Sequence, residues 1–276
     1  MKIGIVGHGF VGGAVEFGFT NEKFDITIVD PKYENGNTIT DLEDVPFIFV
    51  CVPTPPNEDG TVNTTIMNSV FSELNELGHN PVVILKSTVT PDFFDNLDIN
   101  FKLVYNPEFL TERNANKDFV RPSMQLLSGE TEDCHKVRDL YAMSNVSNDT
   151  PTMYTDWKTA SLVKYAINSF LASKVIWFNQ FKKIFEKTLE NDYDHTREEP
   201  WLVFTEILKH DKRIGMSHMD IPGPDGKFGF GGHCFPKDTM ALLTYSENIG
   251  EFMSVLEEVI DVNNKIRNPW EELKYW

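Results

Sequence analysis

The sequence predicts an α/β fold: a doubly wound parallel sheet over residues 1–155, followed by a mostly α-helical second domain over residues 156–276. Three observations carry that reading. Short β-branched or apolar runs alternate with longer mixed stretches through the first half, the texture of βαβ units around a parallel sheet. A glycine-rich turn, Gly7-His8-Gly9-Phe10-Val11-Gly12, directly follows the first of those runs. From Asp156 the pattern becomes one long helix without Gly or Pro through about Lys187.

The candidate strands are Lys2–Val6, Asp25–Val29, Phe47–Val52, Val82–Lys86 and Lys102–Tyr105, with Gln125–Ser128 and Pro151–Tyr154 extending the sheet at its far edge. Phe10–Phe19 reads as the amphipathic helix after the glycine turn. In the second half, Leu162, Val163, Ala166, Ile167, Phe170, Leu171, Val175 and Ile176 supply the apolar positions of the long helix. Further helix is expected around Trp201–His210 and from about Lys237 to Lys265, beside a Gly/Pro-rich loop at Pro222–Pro236.

A chain of 276 residues buries roughly three quarters of its unfolded surface, enough for a sizeable core. Twenty-five Lys plus Arg against 42 Asp plus Glu leave a formal net charge of −17. That charge repels a phosphate backbone and an anionic bilayer, so neither nucleic acid nor membrane is an expected partner. Three cysteines with no CxxC pair argue against a disulfide framework and a zinc knuckle, and no metal is expected. The apolar run after Met1 is too short for a signal peptide, and nowhere do about eighteen apolar residues run uninterrupted. A soluble, untargeted cytoplasmic protein is the expectation.

The glycine turn matches G-x-G-x-x-G between a strand and a helix, and Asp30 closes the next strand eighteen residues after Gly12. Glycines let the backbone approach a pyrophosphate at a helix N-terminus, whose N–H groups favour an anion, while the acidic side chain accepts from a ribose diol. This Rossmann-type context predicts a dinucleotide. Asp30 repels a 2′-phosphate, favouring NAD over NADP, although Lys32 softens that preference. The alternative is a tight strand-to-helix turn with no ligand.

In Gly229-Phe230-Gly231-Gly232-His233-Cys234-Phe235-Pro236-Lys237-Asp238, three glycines leave the approach to a sulfur unobstructed. A helix starting near Pro236, together with Lys237, would lower the thiol pKa and suit Cys234 to nucleophilic attack. Cys51, inside an apolar strand, fits a buried inert thiol, and Cys134 is incidental on a charged helix. Lys164 and Asn168, four apart on the long helix, project from one face. There a lysine desolvated by Ala160, Val163 and Ala172 could exchange protons or stabilise an oxyanion, or be merely solvated. Glu108 and Glu112 follow a strand at the carboxyl edge of the sheet, where ligands bind. Ser87-Thr88 ends another strand at that edge and could position a water.

Together these segments resemble the UDP-glucose/GDP-mannose dehydrogenase family. The matching pieces are GHGFVG, VPTPP at Val52–Pro56, STV at Ser87–Val89, NPEFL with Glu112, Lys164 and Asn168 with Asn179, and GFGGHCFPKD, in the family's order. The resemblance implies that a sugar C6 alcohol is oxidised twice by NAD through an aldehyde, a thiohemiacetal and a thioester on cysteine. Carried over, Cys234 is the nucleophile, and Lys164 and Asn168 stabilise the oxyanion. Asp238 and Thr88 hold the hydrolytic water, with Glu112 and Glu108 as bases. NAD contacts are implied for Gly7, Gly9, Phe10, Val11, Gly12, Asp30, Lys32, Thr54, Thr88 and Glu112. Substrate contacts are implied for Glu108, Phe109, Leu110, Lys164, Asn168, Phe228, Gly231 and Cys234, and a homodimer through the long helix.

Some features depart from the family. Its third, nucleotide-recognising domain is expected to be lacking in a chain ending at Trp276. Thr111 and Arg113 replace the usual Arg and Gly around the second glutamate, and Pro122-Ser123-Met124 replaces Pro-Asp-Arg. An anionic sugar nucleotide also needs a locally basic cleft, for which Lys164, Lys227, Lys237, Arg113 and Arg121 are candidates. The expected reaction is UDP-glucose to UDP-glucuronate. The alternatives are another UDP- or GDP-sugar, a single-step 3-hydroxyacid dehydrogenase with its own helical Lys and Asn, or a non-catalytic NAD-binding protein.

Overall fold

The computed structural model describes residues 1–33, 36–190 and 199–267, with Glu112 described by its backbone alone. The chain divides into two compact units, residues 1–58 with 62–164, and residues 59–61 with 165–276.

In the first unit the strands are β1 (Lys2–Val6), β2 (Asp25–Val29), β3 (Phe47–Val50), β4 (Val82–Leu85), β5 (Lys102–Tyr105), β6 (Gln125–Ser128) and β7 (Thr152–Thr155). They form one sheet in the order β2-β1-β3-β4-β5-β6-β7. The predicted doubly wound architecture is what the chain adopts, with the order reversing direction at β1. All neighbours run parallel except β5 and β6, which are antiparallel and meet at Tyr105–Ser128.

Period-2 alternation sends successive side chains to opposite faces, and both faces are covered. Along β3, Ile48 and Val50 join one core with Met67, Phe71 and Leu74 of helix α2 (Thr65–Asn75). Phe49 joins the other with Ala14, Val15 and Phe19 of α1 (Phe10–Phe19) and Val137 and Leu140 of α4 (Thr131–Ala142). A short helix, α3 (Ala115–Val120), packs Phe119 on that same side. The expected Val52 and Lys86 strand ends fall back to Val50 and Leu85, because the ladder closes with the amides of Cys51 and Lys86 and the chain then turns away.

The long helix α5 (Trp157–Leu189) starts in the first unit and continues into the second. The second unit adds α6 (Pro200–Lys209), α7 (Phe235–Asn248) and α8 (Ser254–Arg267). Ala172, Ile176, Phe230 and Val262 form one small core, and Phe178, Trp201, Met219 and Ile221 another. The single closing helix expected from Lys237 to Lys265 is instead two helices. Gly250 adopts φ +80° and its amide bonds to Glu247, while Glu251 N–H reaches back to Ser246 O at 2.9 Å. That Schellman arrangement satisfies the last carbonyls of α7 and stops it. Among the described residues, no helix is long and apolar enough to cross a membrane.

Candidate functional site

The glycine turn fits a dinucleotide for three different reasons. Gly7 leaves β1 at φ +88°, and a Cβ there would lie 2.9 Å from the Cys51 carbonyl. Gly12 faces inward, where a Cβ would come within 2.0 Å of Gly7 O. At Gly9, the N-cap of α1, a Cβ would meet nothing within 4 Å. Two glycines are thus demanded by packing, and the middle one opens space at a helix N-terminus for the oxygens of a pyrophosphate.

Asp30 follows β2 and accepts from the amides of His8 at 2.6 Å and Lys32 at 2.7 Å. Burial pushes its carboxyl up, but those two bonds outweigh the effect and hold it below the usual carboxylate range. An ionised carboxylate has about four lone-pair sites, so two amides leave room for a ribose diol. Phe10 is partly exposed at the start of α1, Val11 packs on the core, and the Lys32 side chain is exposed. Thr54 Oγ1 donates to Thr88 O at 2.9 Å and Ser87 Oγ to Val52 O at 2.7 Å, tying together the turns after β3 and β4.

After β5 the chain turns through Asn106–Leu110. Glu108 is buried, its Oε2 accepting from Leu110 N at 2.5 Å. Lys164, 2% exposed, donates to Glu108 O at 2.7 Å and Oε1 at 3.1 Å, with its ammonium 5.5 Å from the Phe109 ring. The desolvated lysine expected from its neighbours is therefore a buried ion pair. Its partner lies 56 residues away, and helix spacing carries no sign of it.

Lys86 is a residue that sequence reasoning missed. It is buried, donates to Asn106 Oδ1 at 2.9 Å, and lines a cavity of about 280 Å³ with Glu108, Phe109, Leu110, Phe119 and Arg121. Burial pushes its amine down to about 8. The unfolded chain then holds the extra proton between about pH 8 and 10.5, so stability rises with pH across that window and is flat below it. Relative to Lys86→Met, the native chain is expected to gain on the order of 3 kcal/mol between pH 7.5 and 10.5 in denaturant titrations. Parallel profiles would contradict the depressed amine.

Burial raises the thiol of Cys51 to about 12 and of Cys134 to about 11. Both are inert at neutral pH. Cys234 is half-buried and is the N-cap of α7, with Pro236 in the first turn, as the motif predicts. Asp238 lies one turn on, its amide bonded to Cys234 O at 2.8 Å. Its carboxylate, 1% exposed, accepts from Asn168 Nδ2 at 2.6 Å and Lys237 Nζ at 2.5 Å.

Among the remaining candidates, Phe228 is exposed and Gly231 faces the Arg267 guanidinium. Lys227, Arg113 and Arg121 are exposed. The side chain of Glu112 lies outside the described residues. The first unit thus brings together the glycines with Asp30, Thr54 with Thr88, and Glu108 with Lys164. The second brings together Asn168, Asp238, Lys237 and Cys234.

Two family models match the chain. The NAD-binding domain of the UDP-glucose/GDP-mannose dehydrogenase family matches residues 33–145, and the family's central domain matches residues 158–265. The chain belongs to the UDP-glucose/GDP-mannose dehydrogenase family. Its cofactor is NAD, and the family's chemistry is NAD-dependent oxidation of CH–OH. The UDP-glucose 6-dehydrogenase of Rickettsia felis is 30% identical over 82% of this chain and 49% of its own length. That of Bacillus subtilis strain 168 is 29% identical over 85% of this chain and 51% of its own length. The chain spans about half the length of these two curated relatives. A solved UDP-glucose dehydrogenase from the hyperthermophilic archaeon Pyrobaculum islandicum superposes with TM-score 0.76 at 26% identity, covering 95% of this chain and 68% of that one.

Proposed function

We propose that this chain oxidises the C6 alcohol of a nucleotide sugar to the carboxylate in two NAD-dependent steps through a thioester on Cys234, with UDP-glucose as substrate and UDP-glucuronate as product. Residues 1–155 hold the NAD, and residues 156–276 carry the nucleophile. The observation that carries the proposal is the Asn168–Asp238 bond at 2.6 Å, one helical turn from Cys234. A single-step hydroxyacid dehydrogenase has use for a helical Lys and Asn, but none for a half-exposed thiol at a helix N-cap with a buried carboxylate beside it.

The overall balance is one primary alcohol, one water and two NAD⁺ giving one carboxylate, two NADH and three protons. NAD supplies the acceptor for both hydrides. A chain base takes the hydroxyl proton as the first hydride leaves. An aldehyde carbon gives up a second hydride readily only after gaining a tetrahedral substituent, which the Cys234 thiolate supplies by adding to the carbonyl. Lys164 and Asn168 donate N–H to the oxygen that becomes anionic. After the second oxidation leaves the thioester, Asp238 and Thr88 hold water, Glu108 and Glu112 assist as bases, and the C–S bond breaks to release carboxylate and thiol.

Substrate contacts from Glu108, Phe109, Leu110, Phe228 and Gly231 belong to the same reading, as do a cytoplasmic setting and a homodimer through α5. The dimer is supported by Phe170, Trp177 and Ile184, which recur every seven residues and are 69%, 53% and 62% exposed. The substrate is tested by incubating the chain and NAD with UDP-glucose, GDP-mannose and a UDP-N-acetylhexosamine separately. UDP-glucose is expected to be converted fastest. Faster turnover of another sugar reassigns the substrate but keeps the chemistry, whereas tight NAD binding without turnover on any favours a non-catalytic role.

A further inference from the structure

The loop that delivers Cys234 is held from two helices. It contains Gly229, Gly231 and Gly232, with φ +72° at Gly229 and +76° at Gly232, so its own backbone has little to fix its path. Side chains supply what it lacks. Asn179 of α5 accepts from Gly229 N at 3.0 Å, and the buried Asn263 of α8 accepts from Phe230 N at 2.7 Å. One turn further along α8, Arg267 Nε donates to Phe230 O at 2.6 Å, and its terminal nitrogen pairs with Asp225 at 2.6 Å. Both backbone groups of Phe230 are thus taken by one face of α8, while its ring packs with Ala172, Ile176 and Val262. The guanidinium also occupies the room beside Gly231, where a Cβ would come within 2.1 Å of it.

We infer that Asn263 and Arg267 are positioning residues for Cys234: by clamping Phe230, four residues upstream, they keep the sulfur at the N-cap of α7. The inference rests on Cys234 being the nucleophile, so its test includes a readout independent of turnover. At a helix N-terminus the thiolate is favoured. Releasing the clamp lets the sulfur leave that position.

The experiment measures iodoacetamide labelling of the Cys234 peptide by mass spectrometry at pH 7, without substrate, in Asn263→Leu, Arg267→Met and Asn263→Asp. Aspartate keeps an oxygen acceptor for Phe230 N. Labelling of the buried Cys51 and Cys134 reports any general opening. Asn263→Leu and Arg267→Met are expected to slow Cys234 labelling at least about threefold and to lower kcat at least about tenfold with KM for NAD within about twofold. Asn263→Asp is expected to stay near the native chain. If Asn263→Leu exposes Cys51 and Cys134, Arg267→Met decides alone. Native labelling rates and kcat in Arg267→Met would overturn the inference, as would a loss in Asn263→Asp equal to that in Asn263→Leu. Should the native chain turn over no nucleotide sugar, the proposed reaction falls, and the labelling arm still decides whether α8 positions the thiol.

Discussion

Cys234→Ala is expected to lower uronate formation by about four orders of magnitude or more, the scale seen when a covalent nucleophile is removed. The substitution deletes only a sulfur at a half-buried helix N-cap, so the unfolding midpoint and NAD affinity are expected to stay close to those of the native chain. Neither remaining cysteine can take over, because burial keeps both thiols protonated at neutral pH. Any residual turnover is expected to stop at the aldehyde level with one NADH per sugar. Uronate formation within about tenfold of the native rate would remove the thioester from the account.

Lys164→Met is expected to be costly in both stability and rate. The ammonium is the buried partner of the Glu108 carboxylate, which is itself 6% exposed. Breaking such a pair by deleting one member costs about 3–5 kcal/mol, because a charge is left buried without compensation. Losing an oxyanion donor lowers kcat by about a further hundred- to thousandfold. The two effects separate in the double variant Lys164→Met/Glu108→Gln. Removing both charges is expected to recover most of the stability, measured by denaturant unfolding, while the rate stays well below that of Glu108→Gln alone. Recovery of activity along with stability would show that Lys164 only supports the fold, and an unchanged stability in Lys164→Met would show that the pair is not buried.

Much of the first unit was legible because parallel strands buried on both faces must be apolar along their length, and runs such as Phe47–Val50 and Val82–Leu85 are. The glycine turn was legible because each glycine answers a local demand of backbone geometry. What sequence spacing did not carry are pairings between distant positions. Glu108 with Lys164, and Lys86 with Asn106, are each joined by tertiary folding across different elements. Lys86 ends the predicted strand Val82–Lys86, and nothing in a lone lysine beside Ser87-Thr88 announces a buried amine. The break between α7 and α8 is of another kind, since Gly250 marks it in the sequence although helical periodicity continues on both sides. The Phe230 clamp likewise depends on Asn263, inside the expected closing helix, and Arg267, just past its expected end, both about thirty-five residues downstream with nothing in the sequence to link them to the loop.

The account stands on one thiol accepting a half-oxidised sugar. The most direct measurement is a single turnover of the native chain with UDP-glucose and excess NAD, counting NADH released per sugar consumed, alongside intact mass of Asp238→Asn quenched during the same reaction. Two NADH and one uronate per sugar, with an acyl adduct on the Cys234 peptide of the variant, is the expected result. One NADH per sugar, with no adduct on Cys234, would contradict it.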